Sequence, residues 1–282
     1  MGQFDGRVAL ITGAARGQGR AHALRLADEG ADIIAIDICA DLPTVPYPLA
    51  TEDDLGVTVK EVLDRGRRIA AFRADTRDYA RMEAVVAEAV ADLGRIDIVV
   101  VNAGVESFTP IWEMTPEQWN EVVDVNLTGA FNTVRTVLPT LMSQGPGSSI
   151  TLISSAAGLA AFPNLGHYTA SKHGVTGLMR SLATELAPHG IRANSVHPTA
   201  VDTPMIQNDA MKALLGVADK AGADAALQTL NALPVPYVES VDVTNVVAFL
   251  SSDAARYITG ATIPVDAGSS LPYRIPHAVG VA

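Results

Sequence analysis

Short runs of β-branched and other apolar residues alternate with longer amphipathic runs along the whole chain. The first two short runs cover residues 8–11 and 32–37, the last covers 262–265, and most are apolar nearly throughout. Strands of this kind are typical of a parallel sheet with helices on both faces, because neither face of such a sheet meets water. We therefore predict an α/β fold, a Rossmann-type doubly wound parallel sheet with helices on both faces.

The remaining elements follow the same rhythm without repeats or a linker, which predicts one domain over residues 1–282. A connection of 15 residues with three prolines, 38–52, is long for a strand–helix link, which favours a functional role over the alternative of a plain surface excursion. Residues 204–232 are expected to form one or two helices beside a substrate, and the tail 266–282 either frays or covers a neighbouring site. Further strands are predicted at 68–73, 96–101, 149–154 and 191–196, and helices at 18–29, 53–65, 78–93, 116–142, 166–186 and 241–250.

Composition excludes several classes of protein. The net charge of -11 argues against a nucleic-acid binder, which needs a basic patch. Cys39 is the single cysteine, so no intrachain disulfide forms, and no Cys/His cluster has metal-ligand spacing. The first residues lack the apolar stretch of a signal peptide, and no run approaches the roughly 20 apolar residues of a membrane span. We expect a cytoplasmic protein without metal, membrane or nucleic-acid partners.

A glycine-rich turn, Thr12–Gly19, follows the first strand and opens the first helix. Its glycines let the backbone turn sharply and approach a pyrophosphate, which then lies against the helix N-terminal amides. A glycine turn that binds nothing is the alternative, and the strand–turn–helix context argues against it. The predicted cofactor contacts here are Gly13, Arg16, Gly17, Gln18 and Gly19.

Asp37 ends the second strand, 18 residues beyond Gly19, and Ile38 follows it. A carboxylate there accepts hydrogen bonds from the adenosine ribose and repels a 2′-phosphate, which favours NAD over NADP. Arg16 is the counter-argument, since arginine can hold a 2′-phosphate.

Polar residues also follow the third and fourth predicted strands, at the edge where a doubly wound sheet binds its ligand. Asp75 is placed to meet the adenine amino group, with Thr76 beside it, and Asn102 and Gly104 are placed to border the adenosine ribose, with Ala103 between them. Ordinary turn chemistry is the alternative for each of these residues.

Tyr168 and Lys172 lie four residues apart in a predicted helix and so share one face. A phenol is too weak a base at neutral pH, and a neighbouring ammonium is expected to lower its pKa. Ser155, at the end of the fifth strand, is placed to bond the substrate oxygen. Asn126 lies in the middle of a predicted helix, where asparagine is unfavourable, which suggests a polar or water-holding role.

Together these motifs resemble the short-chain dehydrogenase/reductase family, in the family's order and spacing over nearly the whole chain. The resemblance implies that Tyr168 is the acid–base, that Lys172 lowers its pKa and holds the nicotinamide ribose, and that Ser155 orients the substrate oxygen. Asn126 would support a water-linked proton relay. Residues 198–203 would flank the nicotinamide, with the contacts Pro198, Thr199, Val201 and Thr203; Thr199 stands where the family commonly has glycine.

A narrower resemblance is to the carveol dehydrogenase-like subgroup. It rests on residues 36–39 with the Pro-rich insertion behind them, on His167-Tyr168 and residues 172–175, and on residues 196–198. This subgroup is associated with mycofactocin, and its insertion is thought to bury NAD so that the cofactor exchanges poorly. The resemblance implies a small apolar secondary alcohol of the terpenoid, carveol-like type as substrate and its ketone as product. It also implies mycofactocin as electron acceptor and a homotetramer.

The substrate is expected in an apolar pocket that includes Phe162 and Met205 beside Ser155 and Tyr168. Other apolar residues assigned to this pocket are Phe108, Trp112, Pro163 and Ile206. His167 is expected to be structural or solvent-facing. Two alternatives stay open, an NAD-binding sensor or scaffold without catalysis and an enzyme with freely exchanging NAD. The sequence does not indicate the natural substrate, its stereochemistry or the physiological direction.

Overall fold

The computed structural model describes residues 2–272, so the end of the predicted tail lies outside the described residues. Within this range seven strands form one parallel sheet, in the order β3-β2-β1-β4-β5-β6-β7, which confirms the predicted fold. The strands are β1 (Val8–Thr12), β2 (Asp32–Asp37), β3 (Ile69–Arg73), β4 (Ile98–Val101), β5 (Ser149–Ile153), β6 (Arg192–Pro198) and β7 (Thr262–Val265). The strand order reverses between β1 and β4, and ligands of doubly wound sheets bind at such a switch point.

Helices cover both faces of the sheet. They are α1 (Gly17–Asp28), α2 (Glu52–Leu63), α3 (Tyr79–Leu93), α4 (Pro116–Val123), α5 (Gly129–Ser143), α6 (Gly166–Leu186), α7 (Asp209–Leu215), α8 (Lys220–Gln228) and α9 (Ser240–Ser251). The predicted helix 116–142 is interrupted by a π-helical segment, Asp124–Thr128, which separates α4 from α5. No helix within residues 2–272 combines the length and apolar character that a membrane span requires.

The alternation of side chains along β1 shows why its sequence is apolar without a break. Leu10 packs into a core with α3, α5 and α6, whereas Ala9 and Ile11 pack into a second core with α1, α2 and α9. All three side chains are fully buried. Because successive residues of a strand point to opposite faces, a sheet buried on both sides needs apolar residues at every position.

Candidate active site

The glycine-rich turn is locked against the end of β4. The side-chain amide of Asn102 donates to the carbonyl oxygens of Thr12 (3.0 Å) and Gly13 (3.3 Å), and the Thr12 hydroxyl accepts from the amides of Asn102 and Ala103, both at 3.1 Å. A Cβ on Gly19 would lie 1.9 Å from the Gly13 carbonyl oxygen. Only glycine therefore allows α1 to start this close to the turn.

The first turn of α1 suits a pyrophosphate. Arg16 precedes this helix in an extended conformation, and its side chain makes no capping hydrogen bond, whereas Thr51, Asp78 and Thr115 cap α2, α3 and α4. The first amides of a helix lack partners within the helix, so α1 offers uncapped donors to an anion. The uncapped start of α1 thus supports dinucleotide binding independently of the glycine motif.

Asp37 lies at the end of β2 and is 8% exposed. Its two carboxylate oxygens accept from the backbone amides of Ala15 (3.0 Å) and Cys39 (3.1 Å), so the carboxylate holds the glycine turn and the start of the insertion together. Arg16 donates to the carbonyl oxygen of Pro48 in the insertion. The Arg16 guanidinium, which was the counter-argument in favour of a 2′-phosphate, is thus hydrogen-bonded to the insertion.

The Pro-rich segment 38–52 folds over the cleft between β1 and β4. Thr44 donates through its amide and its hydroxyl to the Glu121 carboxylate of α4, at 2.7 and 2.6 Å. The Tyr47 hydroxyl accepts from the amide of Glu106 at 3.1 Å. Leu42, Tyr47 and Leu49 line the cleft, whereas Val45 packs on the cluster around Val105 and Tyr168. The insertion is therefore tied to both α4 and the segment after β4.

The structure brings most of the predicted cofactor residues to one cleft and four others to an adjoining cavity, whereas Lys172 lies beside the Tyr168 ring and lines neither. Pro198, Thr199, Val201 and Tyr168 line the second cavity, which holds the candidate substrate pocket, and Gln18 and Thr203 line both. Asp75 lines the cleft but is paired with Arg77 at 2.7 Å, a partner that the sequence did not indicate. The cleft residues are Gly13, Arg16, Gly17, Gln18, Gly19, Asp37, Ile38, Asp75, Thr76, Asn102, Ala103, Gly104 and Thr203.

Tyr168 and Lys172 lie one turn apart on α6, with the Lys172 ammonium 5.5 Å from the centre of the Tyr168 ring. The Tyr168 hydroxyl is hydrogen-bonded to Ser155, which follows β5. Lys172 is buried and donates to the Ile153 carbonyl oxygen at 3.0 Å. The three groups predicted from spacing are thus adjacent in space.

The pKa of Tyr168 was predicted to be lowered, but its surroundings in the structure raise it. Burial, followed by the charge of Glu106, raises the pKa of Tyr168, and the hydrogen bond from Ser155 opposes this only in part. Burial also lowers the pKa of Lys172 to about 8, against the opposing effect of Glu106. The expectation considered the ammonium alone and omitted the cost of charging a buried phenol.

Asn126 sits in the π-helical segment and is 1% exposed. Its side chain accepts from the Val105 amide (2.8 Å) and donates to the Val105 carbonyl oxygen (2.9 Å) and the Ser171 hydroxyl (3.2 Å). Gly104 lies between Asn126 and Lys172, since a Cβ there would be 3.2 Å from the Asn126 amide oxygen and 3.3 Å from the Lys172 ammonium. Asn126 therefore joins the segment after β4 to α6 beside the ammonium.

Two buried histidines position the site. His167 is hydrogen-bonded to the Ser107 hydroxyl at 2.7 Å and accepts from the Tyr168 amide at 2.9 Å. Of the two roles expected for it, structural and solvent-facing, these contacts favour the structural one. His197 bonds the Ser155 carbonyl oxygen at 2.8 Å, and burial lowers its pKa to about 4. Sequence reasoning did not assign His197 this role; its position directly before Pro198 at the end of β6 was the available signal.

The candidate substrate pocket is apolar except for a few groups, chiefly Ser155, Tyr168, Gln18 and Glu106. Phe162, Pro163, Met205 and Ile206 line it as predicted, but Phe108 and Trp112 do not. Trp112 is 81% exposed, because the amides of Glu113 and Met114 bond back to Pro110 and turn the chain outward before α4. Further apolar lining comes from segments that were predicted to lie beside the substrate but whose residues were not named individually, Leu165, Met211, Leu214, Leu215, Leu227 and Leu230.

Comparisons with known proteins agree with this geometry. A family model described as short chain dehydrogenase matches residues 7–213. The chain is 50% identical to the (-)-trans-carveol dehydrogenase of Rhodococcus erythropolis, over 96% of this chain and 100% of that protein. The structure of a carveol dehydrogenase from Mycobacterium avium in complex with NAD superposes with a TM-score of 0.94 at 47% identity, over 96% of this chain and all of the other. A short chain dehydrogenase from Mycobacterium paratuberculosis bound to NAD has a TM-score of 0.88 at 49% identity, over 95% and 99% of the two chains.

Proposed function

The chain belongs to the short-chain dehydrogenase family and is an NAD-dependent alcohol dehydrogenase of the short-chain type, and we propose that it interconverts a carveol-like cyclic secondary alcohol and its ketone. One observation carries the proposal. The Tyr168 hydroxyl, bonded to Ser155, lies in the wall of an apolar pocket that shares Gln18, Thr203 and Met205 with the glycine-lined cleft. An apolar pocket with few polar groups suits an apolar alcohol.

Tyr168 is proposed as the acid–base of the reaction. Because burial raises its pKa, the phenol is protonated at neutral pH and is ready to donate to a ketone oxygen. In the oxidising direction the phenol first gives up its own proton to solvent along the path beside Lys172, and the phenolate then accepts the proton of the substrate hydroxyl, with Ser155 bonding the same oxygen. When bound, NAD supplies the hydride acceptor, or in its reduced form the donor.

Lys172 and Asn126 are proposed to support Tyr168. With a pKa of about 8, the Lys172 ammonium is largely charged at neutral pH, and its charge stabilises a developing phenolate. Asn126 holds the segment that carries Gly104 in place beside the ammonium. In the proposed arrangement it also supports a water-linked path by which Lys172 exchanges protons with solvent.

Pro198, Thr199, Val201 and Thr203 are proposed to flank the nicotinamide. Thr203 lines both cavities, and a Cβ on Gly17 would lie 3.3 Å from its methyl group, which puts it against the glycine turn. The Thr199 hydroxyl donates to Asn231 at 3.0 Å, so the residue that stands in place of the family's glycine is occupied by a contact within the chain.

We also propose that the insertion 38–52 retains NAD. Its contacts with Glu121 and Glu106, and the bond from Arg16 to Pro48, must open before a nucleotide can leave past this segment. The test is the nucleotide content of purified protein after prolonged dialysis, measured by denaturation and mass spectrometry. Near-stoichiometric NAD supports retention, and empty protein that rebinds NAD readily contradicts it.

A retained cofactor needs an electron acceptor other than free NAD, and mycofactocin is the proposed candidate. Activity is therefore best measured with a redox dye as acceptor. Oxidation of carveol to a ketone, identified by mass spectrometry, tests the proposed function. Protein that binds NAD but oxidises no secondary alcohol and reduces no ketone would contradict it and favour the non-catalytic alternative.

The proposed assembly is a homotetramer in which α4, α5 and α6 pack between subunits. Trp119 on α4 and Phe131 and Met142 on α5 are between 39% and 50% exposed, and packing between subunits would bury these apolar side chains. Light scattering tests this proposal, and a monomer at micromolar concentration would refute it. The cytoplasmic location expected from composition stays a prediction.

A further inference from the structure

Glu106 is a carboxyl group in the wall of the substrate pocket, next to Tyr168, and the acid–base chemistry above does not use it. It follows Gly104 and Val105 at the carboxyl end of β4 and is 5% exposed. Its backbone amide is bonded to Tyr47 of the insertion, so the residue is held in place. Its Oε1 is buried and has no hydrogen-bond partner within residues 2–272.

Buried polar atoms without a partner cost stability, so each needs an explanation. Among the described residues with such a side-chain atom, two line the cavities of the active site, Gln18 and Glu106. Gln18 lies between the two cavities and belongs to the predicted cofactor contacts. Glu106 lines the substrate pocket and does not line the cofactor cleft. Its Oε1 is enclosed by protein, so a substrate would meet this carboxyl group through the other oxygen, Oε2, which accepts no hydrogen bond from the described residues.

The charge state of Glu106 decides which partner suits it. Burial raises the pKa of Glu106 to about 8, with Lys172 opposing the shift. The carboxyl is therefore mostly protonated at neutral pH and offers one O–H donor and one acceptor oxygen. A neutral oxygen function, a hydroxyl or a carbonyl, matches this pair of groups.

We propose that Glu106 is a specificity-determining residue that bonds a second oxygen function on the substrate, so that the preferred substrate is a cyclic diol or hydroxy ketone. This inference rests on the proposed function and narrows its substrate class. The apolar side chains around Phe162, Met205 and Leu227 hold the hydrocarbon ring, while Ser155 and Tyr168 bond the reacting oxygen. A site that bonds a substrate hydroxyl rejects the analogue that lacks it, because the buried polar group is then unpaired.

The test compares kcat/KM for cyclohexanol with that for the 1,2-, 1,3- and 1,4-cyclohexanediols, using the NAD-loaded protein and a redox dye. The measured quantity is the ratio of each diol to cyclohexanol. We expect wild type to prefer at least one diol by about tenfold or more. Glu106→Leu should lower that ratio by about tenfold, whereas Glu106→Gln, which keeps a donor and an acceptor, should retain most of it. Met211→Leu is the matched control, because it changes the same pocket without changing a polar group, and it should leave the ratio within about twofold.

A ratio is used because a loss of folding or of cofactor lowers both rates and leaves their quotient unchanged. The inference is overturned if wild type prefers no diol, or if Glu106→Leu leaves the ratio as it was. The wild-type ratio decides by itself if Glu106→Leu does not fold. Turnover of carveol or cyclohexanol without a diol preference overturns this inference alone, whereas no oxidation of any secondary alcohol overturns the proposed function and this inference with it.

Discussion

The cofactor cleft and the substrate pocket adjoin but are built from different parts of the chain. The cleft is formed mainly by the turns after β1 to β4 and by the insertion, all within the first 105 residues. The pocket is formed mainly by residues 154–168 and 198–230. The cleft is lined to a large extent by glycines and backbone atoms, whereas apolar side chains determine the shape of the pocket. A glycine motif therefore marks the cleft in the sequence, whereas sequence motifs mark only Ser155 and Tyr168 in the pocket and leave its apolar lining unmarked.

The two regions also differ in how their polar groups are satisfied. In the cleft, Asp37, Asn102 and Thr12 each bond backbone atoms of neighbouring turns. In the pocket, Glu106 keeps a buried oxygen without a partner. The cleft therefore fixes its turns with its own hydrogen bonds and leaves the first amides of α1 and the Gln18 Oε1 for a ligand, whereas no side-chain hydrogen bond from the described residues holds the Glu106 carboxyl group in the pocket.

The largest expected effect is that of Tyr168→Phe, which should affect the pocket and leave the cleft intact. Tyr168→Phe removes the proton donor from the pocket without touching the glycine turn, so turnover should fall by about 10²–10⁴-fold while the bound NAD stays unchanged. Steady-state rates and nucleotide content measure the two effects. Tyr257→Phe is the control, since Tyr257 is 89% exposed, and an equal loss in both variants would contradict the assignment.

Gly19→Ala should damage the cleft instead. The new Cβ would lie 1.9 Å from the Gly13 carbonyl oxygen, so the turn must shift. We expect a loss of about 1–3 kcal/mol in the free energy of unfolding, together with reduced NAD content. Gly56→Ala in α2 is the matched control, because no atom lies within 4 Å of its Cβ, and it should stabilise the protein by about 0.5–1 kcal/mol. Chemical denaturation with nucleotide analysis measures both, and normal NAD content in Gly19→Ala would refute the close approach.

Asp37→Asn should change which dinucleotide the cleft prefers. The amide keeps an acceptor for the turn but loses the charge that repels a 2′-phosphate. The ratio of bound NADP to bound NAD should rise by about tenfold. This corresponds to about 1.4 kcal/mol in binding free energy, which is the size of one screened repulsion between two charges. Mass spectrometry of the nucleotide in purified protein gives this ratio, and an unchanged ratio would show that Asp37 does not select the cofactor.

The smallest effect is the pH dependence of stability that Glu106 contributes. Its pKa is about 8 in the folded protein, above the ordinary value, so the folded state binds the proton more tightly. Stability from this group is present at low pH and is lost as pH rises toward and through 8. Wild type should therefore lose about 1 kcal/mol or more relative to Glu106→Gln between pH 5 and pH 8.5. Denaturation midpoints at the two pH values test this, and parallel curves would contradict it. Lys172 acts mainly above pH 8, where its lowered pKa makes stability rise with pH, and it is common to both proteins.

Features that depend on neighbours in the chain were predictable. The strands, the glycine turn, the Tyr168–Lys172 spacing and Asn102 behind β4 follow from the two-residue and 3.6-residue periods and from turn chemistry. The division of 204–232 into α7 and α8 also fell within the prediction. These rules are local, so a single sequence is enough to apply them.

Features that depend on contacts between distant segments could not be predicted from the sequence. Local patterns indicated neither the hydrogen bond from the Glu106 amide to the Tyr47 hydroxyl nor the burial that raises the pKa of Tyr168. Trp112 was assigned to a pocket from which its turn excludes it. The sequence of this protein thus determined the sheet, the glycine-rich cleft and the adjacency of Tyr168 and Lys172. The shape and polarity of the substrate pocket were decided when segments as distant as Gln18 and Leu230 packed together, because burial and the electrostatic environment are properties of the assembled core and not of any stretch of chain.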